Sequence, residues 1–247
     1  MSDGSITADD AFEIVVSAQF RGPPNSGNGG YVCGLLARGL NGPIKGVLRA
    51  PIAIDTPLRL VRSADGARLT SLTGDLIAEA GPGDDSDLPR PPDCPTLEAA
   101  RQAGARFVGL GRPFHPVCFT CADALEEGFG LRVFVGQLED AADGVVSGPW
   151  TPHANFADPD GLARVEAIWA ALDCPGSVAW VVQGGGGGLL GTMTCEILRR
   201  PAVGETCIVL AWPIEASGRK RVAGTALFSA DGELMARSRQ IWIGRAL

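Results

Sequence analysis

The chain has 247 residues, 45% apolar and 20% charged, enough to bury one large core or two smaller ones. Its formal net charge of −7 argues against a nucleic acid or an anionic membrane surface as the main partner. No apolar run reaches the roughly 18 residues of a membrane-spanning helix, and the polar start Met1-Ser2-Asp3-Gly4-Ser5 is unlike a secretory signal. Seven cysteines, an odd number at scattered spacings, suit a reducing cytoplasm better than a disulfide framework.

Residues 11–20 read as a strand leading into Gly22-Pro23-Pro24-Asn25-Ser26-Gly27-Asn28-Gly29-Gly30. The prolines and glycines exclude regular structure before Asn28. Val32, Leu35, Leu36 and Leu40 then fall at helical spacing, and Gly39, Asn41-Gly42 and Pro43 stop the helix. The first N–H groups of a helix have no intrahelical partner, so this entrance can hold an anion or a polarised carbonyl oxygen. Asn28 can equally be a plain N-cap.

Strands follow at residues 46–54, 57–62, 68–73 and 75–80, with Ala64-Asp65-Gly66 as a hairpin turn. Residues 81–95 are rich in proline and acid and read as a linker. Residues 96–106 predict a short helix capped by Thr96, and residues 107–130 look irregular. This stretch contains His115-Pro116-Val117-Cys118-Phe119-Thr120-Cys121, three zinc-ligand types where a structural site takes four. We read it as a structural turn, with no metal and no cofactor expected.

From residue 131 the pattern restarts, with strands at 131–135 and 145–150 and a helix over 162–173. That helix places Val165, Ile168, Trp169 and Leu172 on one face and should end before Pro175. Further strands are expected at 178–182, 189–198, 206–212, 221–228 and 233–243. The run Gly184 to Gly188 is no phosphate loop, because Leu189-Leu190 follows where Lys-Ser/Thr is needed. The order strand, helix, meander thus occurs twice, and Asp75-Leu76-Ile77-Ala78-Glu79-Ala80 matches Glu233-Leu234-Met235-Ala236-Arg237-Ser238 in pattern.

Asn28-Gly29-Gly30 at a helix entrance, with the preceding Pro-Asn-Ser-Gly loop and the meander at Ala53-Ile54-Asp55-Thr56-Pro57-Leu58, resembles acyl-CoA thioesterases of the hotdog superfamily. The resemblance implies an α+β double hotdog: two tandem units, each a curled antiparallel sheet around a central helix. The units would be residues 10–80 and 131–247, separated by the linker and irregular segment 81–130. In that group a glycine N–H at the helix entrance is the oxyanion donor, and a carboxylate often lies about two turns along a helix. No carboxylate occurs between Tyr31 and Leu40, while the second helix carries Glu166 and Asp173 behind an entrance lacking a Gly-Gly pair.

The resemblance therefore implies a composite site between the units. Asn28, Gly29 and Gly30 come from one, with the Gly30 N–H as oxyanion donor. Asp173 comes from the other as general base or nucleophile. Tyr31, His153, Asn155 and Trp169 would line it, and Arg199, Arg219 and Arg221 would meet the phosphates of CoA. Glu166 is expected on a solvated face. The implied reaction is hydrolysis of an acyl-CoA or related acyl thioester to free acid and thiol. The alternatives are a hotdog 3-hydroxyacyl-thioester dehydratase or hydratase, and a non-catalytic acyl-thioester binder. An exposed sheet face would suit a homo-oligomer of double units.

Overall fold

Alternation of apolar and polar residues builds most of the molecule, and the computed structural model describes residues 10–111 and 116–244. The first region contains β1 (Asp10–Val15), α1 (Gly29–Ala37), β2 (Ile44–Leu48), β3 (Pro57–Ser63), β4 (Gly66–Thr70) and β5 (Leu76–Pro82). Next comes α2 (Leu97–Gly104), capped by the Thr96 side chain. The second region contains β6 (Gly136–Gln137), β7 (Val146–Trp150), α3 (Val165–Val181), β8 (Gly188–Ile197), β9 (Cys207–Ser217), β10 (Lys220–Ser229) and β11 (Leu234–Gly244).

All the described strands join one antiparallel sheet in the order β1-β3-β4-β5-β2-β8-β11-β10-β9-β7-β6. Its centre is the β2–β8 pair, with Ile44 opposite Cys195. Outward from that pair the order is β5, β4, β3, β1 on one side and β11, β10, β9, β7, β6 on the other. Both α1 and α3 pack on the sheet and against each other.

The strands differ in how many faces they bury. On β3 and β4, Leu58, Leu60, Ala67 and Leu69 are buried while Arg59 and Arg68 are exposed, a period-2 pattern with one solvated face. On β9, residues 207–212 are all buried. Val209 and Ala211 join the core that includes α3, while Ile208, Leu210 and Trp212 pack on the other face with Ala100 of α2 and Phe228. A strand covered on both sides has no use for polar alternation.

Several predicted elements come out differently; the strand expected at 46–54, for one, ends at Leu48. The expected helix over 162–173 starts at Val165 and continues through Pro175 to Val181, taking in the run at 178–182 that its β-branched valines mark as strand. Ile168, Leu172, Pro175 and Ala179 form one buried stripe, so packing outweighs the N–H that the proline lacks. Next to the carbonyl released by that missing N–H, Gln240 of β11 donates to the Leu172 carbonyl at 2.6 Å. The run at 131–135 belongs to no strand of the sheet, and Arg132 within it takes a positive φ of 55°. The Leu131 and Val133 amides donate instead to the Phe119 and Thr120 carbonyls. After α3 the chain turns through Gly184 and Gly186, both with positive φ, into β8.

Candidate active site at the α1–α3 crossing

Gly30 and Gly34, four residues apart, lie on one face of α1. A Cβ on Gly30 would come within 2.6 Å of the Asp173 Cβ and 2.7 Å of the Trp169 carbonyl oxygen. One on Gly34 would come within 2.6 Å of the Glu166 Cα. The start of α1 thus meets Asp173 and its later turn meets Glu166, so the helices cross antiparallel at backbone contact. Small residues are what permit such an approach.

This approach delivers Asp173 to the entrance of α1. Its Oδ2 accepts the Gly30 N–H at 2.9 Å. Asn28 caps the same helix, its Oδ1 accepting the Tyr31 N–H at 2.8 Å and its backbone carbonyl the Val32 N–H at 3.1 Å. The Asn28 amide donates to Thr120 Oγ1 at 3.3 Å, and Thr120 donates to the Ala170 carbonyl on α3 at 2.9 Å. Of the first-turn donors, the Gly29 N–H alone has no acceptor among the described residues.

Asp173 is 3% exposed, and its Oδ1 has no hydrogen-bond partner among the described residues. Burial pushes its carboxyl up to about 7, with the neighbouring Cys118 acting the same way; the Gly30 N–H and the Asn28 amide pull against this. It sits in the interior of α3, well before the helix end, so the unfavourable C-terminal dipole does not bear on it.

Glu166 departs from its expected solvated position. It is 5% exposed and forms a forked ion pair with Arg38, whose guanidinium also meets Asp158 at 3.1 Å. Tyr31 stacks on Phe20 with centroids 4.1 Å apart and meets Phe119 edge-on. Burial, then the charge of Glu166, raises its phenol above the usual range.

The remaining candidates fall in three other places. Trp169 and Arg199 line a cleft of about 320 Å³ between the end of α1 and the start of α3, together with Leu40, Val165, Leu198 and Arg200. Arg199 is held there by Glu205 and Glu233. His153 lines a smaller cleft of about 180 Å³, and Asn155 beside it donates to the Gly128 carbonyl at 2.9 Å. Arg219 and Arg221 lie at the β9–β10 turn, Arg219 donating to the Gly244 carbonyl and Arg221 buried near Gly185 and Gly244. His115 lies outside the described residues.

Sequence reading passed over Thr120, Cys174 and Gln240. Cys174 joins Cys118 and Cys121 only through the fold: it is 56 residues from Cys118, yet their sulfurs lie 3.4 Å apart. All seven cysteines are free. No helix among the described residues is long and apolar enough to cross a membrane.

The fold has counterparts among solved structures. One, from Novosphingobium aromaticivorans and provisionally named a thioesterase, is 13% identical over 96% of both chains, with a TM-score of 0.63. The tesB protein of Mycobacterium avium subs paratuberculosis is 14% identical, covering 94% of this chain and 92% of its own, with a TM-score of 0.62. An Alicyclobacillus acidocaldarius protein of unknown function with a hotdog fold is 13% identical over 96% and 94%, also at 0.62. The fold is the hotdog. A thioesterase superfamily protein is matched over 57% of its own length and 47% of this chain, at 21% identity and a TM-score of 0.42. No family model matches the sequence, and no curated protein does.

Proposed function

We propose that this protein hydrolyses an acyl thioester of the acyl-CoA kind to the free acid and thiol, where the entrance of α1 meets Asp173. The observation that carries the reading is the Asp173 carboxylate, with one oxygen fixed by the Gly30 N–H and the other unpartnered among the described residues. A positioned carboxylate with a lone pair to offer is a general base. We also infer two hotdog units, because the sheet order outward from β2 and from β8 follows the same sequence of elements, β1 corresponding to β7. The site is then composite, its helix entrance from one unit and its base from the other.

In this mechanism Asp173 Oδ1 takes a proton from water as the water oxygen attacks the thioester carbonyl carbon. The carbonyl oxygen gains the negative charge and faces the Gly29 N–H, the donor that α1 leaves unengaged. Collapse expels the thiolate, which takes the proton back from Asp173. The oxyanion role thus passes from Gly30 to Gly29, since Gly30 already holds the base. The thioester carbonyl is assigned to the entrance of α1 beside Gly29 and Asp173, and the cleft at the other end of α1, lined by Trp169, Arg199 and Arg200, to a remote part of the substrate about 12 Å along the helix. Arg199 and Arg200 on that cleft face the CoA phosphates.

A second reading, a binder without catalysis, is favoured by the engaged Gly30 N–H and the burial of Asp173. Thiol release from a panel of acyl-CoAs, short to long, separates the two. Under the hydrolase reading Asp173→Asn loses at least about 100-fold in rate while keeping affinity for a thioether analogue. A rate untouched by the substitution removes Asp173 from the mechanism. Tight acyl-CoA binding with no thiol release by the parent protein establishes the binder.

A further inference from the structure

A cluster beside the proposed machinery takes no part in those steps. Cys118 and Cys121, one turn of loop apart, converge with Cys174 of α3, and the three sulfurs all lie within 4.8 Å of one another. Cys118 is fully buried and Cys121 is 7% exposed. We propose that these three cysteines bind a thiophilic divalent cation, zinc, as thiolates. This reverses the reading of Cys-x-x-Cys as a bare structural turn, because Cys174 brings a third sulfur that the sequence reading did not count.

The geometry favours a metal over a disulfide. In a tetrahedral thiolate zinc site, with Zn–S near 2.3 Å, the sulfurs stand about 3.8 Å apart. The closest pair here, Cys118 and Cys174, is at 3.4 Å, and the widest separation stays within 4.8 Å, so small side-chain rotations close the site. A disulfide needs sulfurs about 2.05 Å apart and would use two of the three, stranding a buried thiol.

The chelating loop is also held in place before any metal arrives. The Ala122 N–H donates to the Cys118 carbonyl at 3.0 Å, closing the turn between the two cysteines. The Phe119 N–H donates to the Arg21 carbonyl, and the Phe119 and Thr120 carbonyls accept from Leu131 and Val133. Thr120 Oγ1 ties the same turn to α3 through the Ala170 carbonyl. Cys-x-x-Cys on a pinned turn facing a third cysteine on a helix is a pre-organised soft-metal donor set.

Binding trades three thiol protons, released to buffer, for one cation and involves no redox change. Three protein sulfurs leave the fourth tetrahedral position to water. The ion would clamp the 118–122 turn onto α3, the same two pieces that hold Asn28 at the entrance of α1.

The test uses full-length protein, reduced and stripped with a chelator, then titrated with zinc against a chromophoric competitor. The proposal expects one zinc per chain, a thiolate-to-metal absorption band on loading with cadmium, and a higher melting temperature that chelator reverses. Cys118→Ser, Cys121→Ser and Cys174→Ser should each lower zinc affinity at least about 100-fold, beyond what loss of an outer partner costs. Cys94→Ser, in the segment before α2, should leave it unchanged. If the serine variants do not fold, X-ray absorption on the zinc-loaded parent decides the matter, and three sulfur neighbours support the site. Zinc bound without sulfur neighbours overturns it, as does no stoichiometric zinc binding. A protein two hydrogens light, with Cys118 linked to Cys174 under reducing buffer, also overturns it.

Discussion

α1 and α3 lie against one another on the same sheet, yet their sequences are specialised in opposite directions. α1 has nine residues and no carboxylate, and Gly30 and Gly34 remove side chains from its contact face. α3 has 17 residues and buries both Glu166 and Asp173 on the face it turns to α1. One helix supplies open backbone donors and closeness; the other supplies charge. Each buried carboxylate then finds its partner on α1 or just after it, Asp173 at the Gly30 N–H and Glu166 at Arg38. The lesson is that neither buried carboxylate finds its partner within its own helix.

Removing the carboxylate from α3 should have the largest effect. Asp173 titrates near 3.8 when exposed and is pushed up to about 7 in the fold. The folded value is the higher, so its contribution to stability is fully present below about pH 4 and is lost as pH rises through about 7. The whole swing is on the order of 4 kcal/mol. Asp173→Asn cannot ionise. In metal-free protein its urea midpoint should exceed the parent's at pH 8, and the gap should close by pH 4. A gap independent of pH would mean that Asp173 is not a buried, ionising group.

The closeness of α1 can be broken next. Gly30→Ala drives a methyl into Asp173 and the Trp169 carbonyl, where the listening atoms are backbone and a short side chain. The expected loss is about 3 kcal/mol in denaturant unfolding. Gly187→Ala, whose nearest neighbour would be the Ser177 hydroxyl at 3.6 Å, should shift stability by no more than about 0.5 kcal/mol. Equal losses at the two positions would remove the helix crossing as the reason for Gly30.

Smaller effects come from the ion pairs. Arg38→Met leaves Glu166 buried without its guanidinium and should cost about 2 kcal/mol, reduced from a fully buried pair because Arg38 is 38% exposed. Arg49→Ala breaks a more exposed pair with Glu79 and should cost less than about 1 kcal/mol. Thermal melts of the two variants beside the parent rank them. A reversed order would place Glu166 in solvent after all.

The segment ahead of β6 makes a second contrast between the regions. Around β3 and β4 the outer face is solvated, and the alternation of Leu58, Arg59 and Leu60 shows it. Around β9 and β10 that face lies under α2, and the unbroken apolar run at 207–212 is its signature. The run was legible as a strand; what covered it was not.

Most strands, the start and stop of α1, the short helix capped by Thr96 and the turn at Ala64-Asp65-Gly66 follow from the sequence by itself. Their causes are local: side-chain period, capping residues, and glycine or proline at turns. The course of α3 was decided by the tertiary structure, because burial of Pro175, Val178 and Ala179 on one face outweighs local propensity. So was the fate of Glu166, whose ion pair needs Arg38 from 128 residues away. The contact between Gly30 and Asp173 spans 143 residues, and that between Cys118 and Cys174 spans 56. Residue type marks each of these as chemically able, but proximity across such separations is a property of the packed sheet and its crossed helices.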